Sequence, residues 1–354
     1  MIIIIALVIP YLVSADGMIF PPQDYYIHET DQRAVIFYEQ GIETLILSVT
    51  FRGDAEDFGW VIPTPNRPEV SKSSDELFTS LEELTTIEED LVRPLSFEGA
   101  YDLGKATQSV HIIETKKIEY YDITVLTADE PDALAEWLAE NDYQFPKTAS
   151  YILDSYVENN WYFVAVKINT EAISPGVGRQ LRQGHMIPLQ LKFSTSQIVY
   201  PLKITSLIET IELPKYYLTE TPELRRIAPP YPRPSEVGIL IYVFTPSNKQ
   251  TIPGFKTQYA NWIKKETIEE LGFDDSGNPW INVSQDEYFL TKMSRWLSYS
   301  EMTHDLYLRE AADNNLVNAS PLEEPSKLWF WLVISISSVL ILGTGGIFVY
   351  LSRK

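Results

Sequence analysis

The stretch that decides the fold is residues 120–168, YYDITVLTADEPDALAEWLAENDYQFPKTASYILDSYVENNWYFVAVKI. Aromatic and β-branched residues predict one strand at 120–126 and another at 161–168. Between them, Pro131 lies in the first turn of a predicted helix, where proline is well tolerated, and Pro146 opens a second helix. The sequence therefore predicts a strand, two helices and a strand, with the helices packed on one face of a sheet.

Hydrophobic periodicity predicts further elements on both sides of this unit. Alternation of apolar and polar residues favours strands, whereas apolar residues three or four positions apart favour helices. Strands are predicted at residues 33–38, 42–51, 58–62, 110–126 (turning at Lys116 and Lys117), 187–193, 198–204, 237–244 and 288–294, and helices from Ser73 and at 258–271. Residues 33–51 and 187–204 are each predicted to form a hairpin. The fold class predicted is α+β, mostly antiparallel sheet with helices packed on one face, plus one C-terminal transmembrane helix.

Two apolar segments predict the cellular location of the protein. Residues 328–351, LWFWLVISISSVLILGTGGIFVYL, contain no charge and are followed by Arg353 and Lys354. At about 1.5 Å per residue this segment is long enough to cross a hydrocarbon core of about 30 Å as a helix. Residues 1–15 have a shorter apolar run, which is typical of a signal peptide, although the usual charged start is missing. We therefore expect a single-pass protein of the cell membrane, with most of the chain outside the cytoplasm.

The intervening sequence divides by composition. Residues 210–235 are rich in proline, which favours a stiff connector. The predicted organisation is a signal peptide (1–15), a main exported α+β domain (16–209), a proline-rich connector (210–235), a second part of the exported domain (236–312), a stalk (313–327), a transmembrane helix (328–351) and a cytoplasmic tail (352–354).

Charge and cysteine content exclude several classes of function. The 354 residues include 49 acidic and 28 basic side chains, a net charge of -21, which opposes binding to nucleic acid. There is no cysteine, so disulfides, thiol catalysis and thiolate metal sites are excluded. No cofactor is predicted.

The sequence has no catalytic signature. It contains no HExxH pair, no GxSxG elbow and no glycine-rich phosphate loop. The four histidines are scattered, and His111 is predicted to be packed within an apolar strand. Carboxylate pairs are plentiful, but in so acidic a chain a pair of neighbours indicates no chemistry. A glycosidase remains an alternative, since its two acids come from distant segments.

Residues 274–278 partly resemble a calcium-binding loop. Oxygen-bearing side chains and a glycine follow one another here, as calcium loops require. The candidate ligands are Asp274, Asp275, Ser276 and Asn278. The glutamate expected at the twelfth position is absent, so a plain acidic turn is the alternative.

The segment 60–68 is a candidate docking strip. Its three prolines remove backbone donors and favour an extended, rigid conformation. Such a strip suits a partner, with Trp60 as an aromatic anchor and Thr64 and Asn66 as polar contacts. The alternative is that Trp60 belongs to the core and the prolines only end a strand and protect a sheet edge.

Several stretches resemble an uncharacterised prokaryotic family, domain of unknown function 2330. They are GDAEDFGWVIPTPNRPEV (53–70), LTADEPDALAEWLAENDYQFP (126–146), YVENNWYFVAVKI (156–168) and IVYPLKITS (198–206). The resemblance covers most of residues 16–204. It implies an exported domain with a signal peptide and a C-terminal membrane anchor, and it implies no biochemical function.

The sequence favours a non-enzymatic cell-surface or envelope binding module for a protein or glycan partner. The alternatives are an envelope hydrolase that uses carboxylates and a purely structural envelope component. A pocket that gathers two or three carboxylates with raised pKa values would favour the hydrolase, whereas a flat aromatic surface or a surface at a strand edge would favour binding.

Overall fold

The computed structural model describes residues 18–20, 27–53, 58–86, 109–143, 145–169, 173, 181, 186–210, 236–274 and 276–318. The strands are β1 (Met18–Phe20), β2 (Ile27–Glu39), β3 (Ile42–Gly53), β4 (Gly59–Thr64), β5 (Glu69–Lys72), β6 (Val110–Ile118), β7 (Tyr121–Ala128), β8 (Tyr162–Ile168), β9 (Leu189–Ser194), β10 (Val199–Tyr200), β11 (Glu236–Thr245), β12 (Gln250–Thr251), β13 (Lys256–Lys264), β14 (Glu287–Ser298), β15 (Leu306–Tyr307) and β16 (Arg309–Glu310). The α-helices are α1 (Asp75–Thr85), α2 (Pro131–Glu140), α3 (Asp154–Glu158) and α4 (Lys265–Glu269), and 3₁₀ helices cover Lys147–Ile152, Lys203–Thr210 and Tyr299–Glu301.

Two large sheets form the body. One has seven strands in the order β13-β14-β11-β2-β3-β9-β5, and the other has five in the order β1-β4-β8-β7-β6. In the described part of the chain, β11 and β2 are the only parallel pair. The prediction of a mostly antiparallel α+β fold is therefore confirmed. The sequence did not separate the strands into two sheets.

The two sheets pack against each other through one shared hydrophobic core. In the seven-stranded sheet, Ile36 and Leu45 are among the side chains that face this core. In the five-stranded sheet, Trp60 and Val166 are register partners, and both belong to the same cluster. Trp60 is 1% exposed. The centre of the molecule is thus a face-to-face pair of sheets, which removes Trp60 from water.

The helices cover the outward faces of the sheets. On the seven-stranded sheet, Leu77, Phe78 and Leu81 of α1 join Val35 and Ile46 in a second cluster. Such side chains three and four positions apart form one apolar stripe, which explains why α1 lies flat on the strands. Each sheet therefore has the other sheet on one face and helical cover on the other.

On the five-stranded sheet, α2 and the segment after it cover the outward face. There Lys167 pairs with Asp142, just after α2, at 2.8 Å, and the ring of Tyr143 lies against Gly59. Leu134, Trp137 and Leu138 of α2 are buried, as their spacing predicts.

Local sequence signals place several elements correctly. The hairpin β2–β3 turns at Gln40 and Gly41, which both have positive φ, the geometry that two-residue hairpins favour. Helix α2 begins at Pro131 as predicted.

Helix α1 begins at Asp75, with Ser74 rather than the predicted Ser73 as the N-cap. The predicted second helix from Pro146 is instead a 3₁₀ turn followed by the short α3.

Three predictions about strands and turns were wrong. The turn between β6 and β7 lies at Glu119, which has a positive φ of 54°, so Lys116 and Lys117 remain in the strand. The predicted hairpin of residues 187–204 does not form, because β9 has β3 and β5 on its two sides and β10 pairs with β15. The first half of the predicted helix at 258–271 is strand β13, because β14 pairs along it and imposes an extended backbone, and only Lys265–Glu269 is helical.

The last described residues fasten the chain to the body. β15 pairs with β10, β16 pairs with β12, and Val317 bridges Ala260 on β13. Lys249 pairs with Asp313 at 2.7 Å. Residues 313–318, which open the predicted stalk, therefore contact the sheet.

No helix in the described ranges is long and apolar enough to cross a membrane. The predicted signal peptide (1–15) and the predicted transmembrane helix (328–351) lie outside those ranges.

Candidate functional site

The predicted docking strip divides into a buried and an exposed part. Trp60 and Thr64 lie in β4, whose six residues are all buried, and Trp60 occupies the position that the core alternative expects. The Thr64 hydroxyl donates to the Asn66 carbonyl at 3.0 Å. Asn66 is exposed, and its amide donates to the Ser194 carbonyl at 2.9 Å. These two bonds fix the strip where it leaves the core.

A groove of about 440 Å³ begins where the strip ends. Its walls come from both sheets: β5 and β9 of the seven-stranded sheet, and β6 of the five-stranded sheet. The side chains that define its chemistry are Ile42, Arg67, Glu69, Glu114, Lys116 and Lys192. Within the described residues, β5 pairs only with β9 and β6 pairs only with β7, so each is the last strand of its sheet. The groove therefore lies where the outermost strands of two different sheets meet.

Two of the three groove cations share one carboxylate. Arg67 pairs with Glu114 at 3.2 Å and joins the two sheets, and Lys116 pairs with Glu114 at 3.0 Å within β6. The hydrogen bond from Lys116 lowers the pKa of the Glu114 carboxyl more than partial burial raises it, and Arg67 lowers it further by a smaller amount. Glu114 is therefore ionised at neutral pH and neutralises much of the local positive charge.

The third cation, Lys192, has no ion-pair partner among the residues that the structure describes. It is exposed on β9, and Glu69 on β5 is its register partner. No ion pair joins Lys192 to Glu69, although cross-strand neighbours of opposite charge attract each other. The ammonium group of Lys192 is thus available in the groove.

The described carboxyl groups with raised pKa values lie elsewhere. Glu43 is fully buried, and burial raises its pKa well above the ordinary value. The Val199 N–H donates to Glu43 Oε2 at 3.0 Å, whereas Oε1 has no hydrogen-bond partner in the described part of the chain. Burial also raises the pKa of Asp305, although the Tyr156 hydroxyl donates to it at 2.7 Å. Neither carboxyl lines the groove.

In the loop that resembles a calcium site, Asp274 accepts hydrogen bonds from the backbone of the loop itself. The Asp274 Oδ1 atom accepts from the backbone N–H groups of Ser276 at 2.9 Å and Asn278 at 2.8 Å. The Asn278 bonds are the main reason that the pKa of Asp274 is lowered. Gly277 has a positive φ of 81°, as a tight turn requires. Asp275 lies outside the described residues, so this geometry leaves the calcium prediction open.

The histidines form no cluster in the described ranges, and no group of three or more His, Asp or Glu side chains there is arranged to hold a metal ion. His111 is exposed rather than packed, and its Nε2 lies 2.9 Å from Asp129 Oδ2. The prediction for His111 was wrong because its strand, β6, is the outer strand of its sheet among the strands that the structure describes.

The sequence pointed only to the part of the groove wall that the strip forms. The prolines and Asn66 drew attention to the strip, but the cations Arg67, Lys116 and Lys192 are far apart in the sequence. Only the pairing of β9 with β5 and the bridge from Arg67 to Glu114 bring them together. Three basic side chains in one groove of an acidic chain are a signal that appears only after folding.

The fold and the groove define an α+β protein with two face-to-face sheets and a charged groove at one end. A family model described as "Uncharacterized protein conserved in bacteria (DUF2330)" matches residues 10–229. The chain belongs to this family, because the match covers more than half of its length.

Two further comparisons add no function. No curated protein matches the chain. A crystal structure of baculovirus P35 is similar over 86% of this chain and 99% of its own, at 12% identity and a TM-score of 0.31. A score this low does not indicate a shared fold.

Proposed function

We propose that the protein is a non-enzymatic binding module, exported and held at the cell membrane by residues 328–351, whose ligand occupies the groove. The position of the groove supports this proposal. Strand edges and the ends of paired sheets commonly recognise partners through backbone groups and a few charged side chains. The ligand would be a protein or glycan component of the cell envelope.

Binding is favoured over hydrolysis by one observation, the lowered pKa of the Glu114 carboxyl. A carboxylate hydrolase needs a general acid that keeps its proton near neutral pH, which requires a raised pKa. Glu114 has the opposite shift, because Lys116 and Arg67 stabilise its charge. Glu43 and Asp305 have raised pKa values but are buried away from the groove.

The location is tested by adding protease to intact cells, with the outer membrane permeabilised where one is present. We expect the protease to digest the body and to leave a C-terminal fragment that contains residues 328–351. Protection of the whole chain would contradict export. Leu340→Arg should weaken membrane retention by about 2.5–3.5 kcal/mol, because it places a charge at the centre of the predicted span.

The binding role is tested by proximity labelling from the full chain in its own cells. We compare the natural protein with Lys192→Glu, which reverses the available charge in the groove, and with Lys256→Glu. Lys256 is a matched control, since it is exposed on β13 at the opposite end of the same sheet. A neighbour that is lost in Lys192→Glu and kept in Lys256→Glu supports the groove. Identical labelled neighbours in all three proteins would refute it.

A further inference from the structure

We infer that the groove binds the end of a peptide chain, with the free C-terminal carboxylate of the peptide paired to Lys192. This inference rests on the proposed function, in which the groove is the binding site. It adds the chemical class of the ligand and the residue that recognises its charge.

The charges of the groove favour a ligand with a single carboxylate. Arg67 and Lys116 are already paired with Glu114, so Lys192 is the groove cation left for a ligand in the described part of the chain. One ammonium group binds one carboxylate through a charge-assisted hydrogen bond. A polyanion fits poorly, because the chain as a whole has a net charge of -21 and repels it.

The strands that line the groove favour a peptide backbone over a sugar. Among the strands that the structure describes, β5 and β6 are the outer ones of their sheets, and outer strands present backbone N–H and C=O groups that an extended peptide can pair with. Sugar rings, by contrast, commonly stack on exposed aromatic side chains. The aromatic residue that lines the groove, Phe193, is only 3% exposed.

The size and apolar surface of the groove favour a chain end over the middle of a chain. A volume of about 440 Å³ is in the range of small-ligand sites and accommodates only a few residues. Ile42 lines the groove and is 38% exposed, so it offers an apolar contact to a ligand. An apolar side chain next to the terminal carboxylate would cover Ile42 while the carboxylate pairs with Lys192.

The wall of the groove is already ordered before a ligand binds. Asn66 is bonded to the Ser194 carbonyl, and Pro65 and Pro68 restrict the backbone on either side of Arg67. Because the wall does not need to be ordered on binding, the entropic cost of binding is lower, and a short ligand binds more tightly than it would to a disordered wall.

The test uses the purified full chain in detergent and isothermal titration calorimetry. The probes are the N-acetylated tripeptide alanyl-alanyl-leucine with a free carboxyl end and the same tripeptide with a C-terminal amide. We expect the acid to bind about tenfold more tightly than the amide or better, as a charge-assisted bond implies. Lys192→Gln should abolish this preference, Lys192→Arg should retain it, and Lys256→Gln should leave it unchanged.

Three results would overturn the inference: equal binding of acid and amide, no binding of either, or binding of digalacturonate, an acidic sugar, in place of the peptides. The failure of the inference is distinguishable from failure of the proposed function. If the peptides do not bind but Lys192→Glu still removes a labelled neighbour in cells, the groove is a binding site for another class of ligand. If both experiments are negative, the groove is not the site.

Discussion

Strand β4 (Gly59–Thr64) and residues 66–69 follow one another closely along the chain but have different surroundings. All six residues of β4 are buried between the opposite sheet and the cover of α2, whereas Arg67 and Glu69 are exposed on the wall of the groove. One proline-rich segment therefore contributes to the core with its first half and to a candidate binding surface with its second half. Substitutions in the two halves should therefore have separable effects, on stability in the first half and on binding in the second.

The largest expected effect is that of Trp60→Ala. Trp60 is 1% exposed in the core between the sheets, so truncation leaves a cavity and should lower the free energy of unfolding by about 3–5 kcal/mol. Urea unfolding followed by circular dichroism measures this loss. Trp262→Ala is the matched control, since Trp262 is 40% exposed on β13. Equal losses in the two variants would contradict the division of the strip.

The next expected effect is a change in pH dependence caused by Glu43→Gln. Glu43 is buried, whereas its neighbour Ile42 lines the groove. Two adjacent residues of β3 therefore show the same difference between core and groove as the two halves of the strip. Because burial raises the pKa of Glu43 above 4.5 in the folded state, the folded protein keeps a proton that the unfolded chain loses. The stabilisation by Glu43 is complete below pH 4.5 and is lost as the pH rises through the folded pKa.

Glu43→Gln should therefore flatten the decline in stability above pH 4.5, and it should make the protein more stable than the natural one at alkaline pH. Thermal unfolding between pH 4 and pH 9 measures both effects. Glu69→Gln is the control, since Glu69 is exposed on the groove wall. The interpretation of Glu43 would be wrong if its substitution left the slope with pH unchanged.

The sequence could predict the parts of the fold that local chemistry determines. The turn at Gln40 and Gly41 and the helix from Pro131 follow from residues a few positions apart. Strand β13 could not be predicted, because its extended backbone depends on β14, about thirty residues further along the chain. The separation into two sheets depends in the same way on contacts between distant strands.

The candidate site could be predicted only in part, for the same physical reason. The prolines around Asn66 indicate a rigid strip, because their restriction of the backbone is local. Whether Trp60 is core or anchor depends on what lies opposite it, which local patterns leave open. Lys192 gains its role from its position across β5 and from the pairing of its neighbours with Glu114, which no local pattern contains.

A smaller effect is expected from Thr64→Ala, which removes the bond between the two halves of the strip. The hydroxyl of Thr64 donates to the Asn66 carbonyl at 3.0 Å, so its loss should cost about 1 kcal/mol in urea unfolding. Thr64→Ser keeps the hydroxyl and should retain most of the stability. If serine were as damaging as alanine, the methyl group of Thr64 rather than its hydroxyl would be the important contact.

The smallest expected effect on stability is that of Arg67→Ala, in the exposed half of the strip. The Arg67 side chain is 57% exposed, so its ion pair with Glu114 should contribute less than about 1 kcal/mol. Lys116, whose hydrogen bond is the main cause of the lowered pKa of Glu114, remains in this variant. The stabilisation by Glu114 is present above pH 4.5 and is lost as the pH falls through its folded pKa. Lys116→Ala should therefore raise the pKa of Glu114 more than Arg67→Ala does, as measured by NMR titration of the Glu114 side chain. The opposite order would mean that the bridge between the sheets, rather than the pair within β6, holds the groove carboxylate ionised.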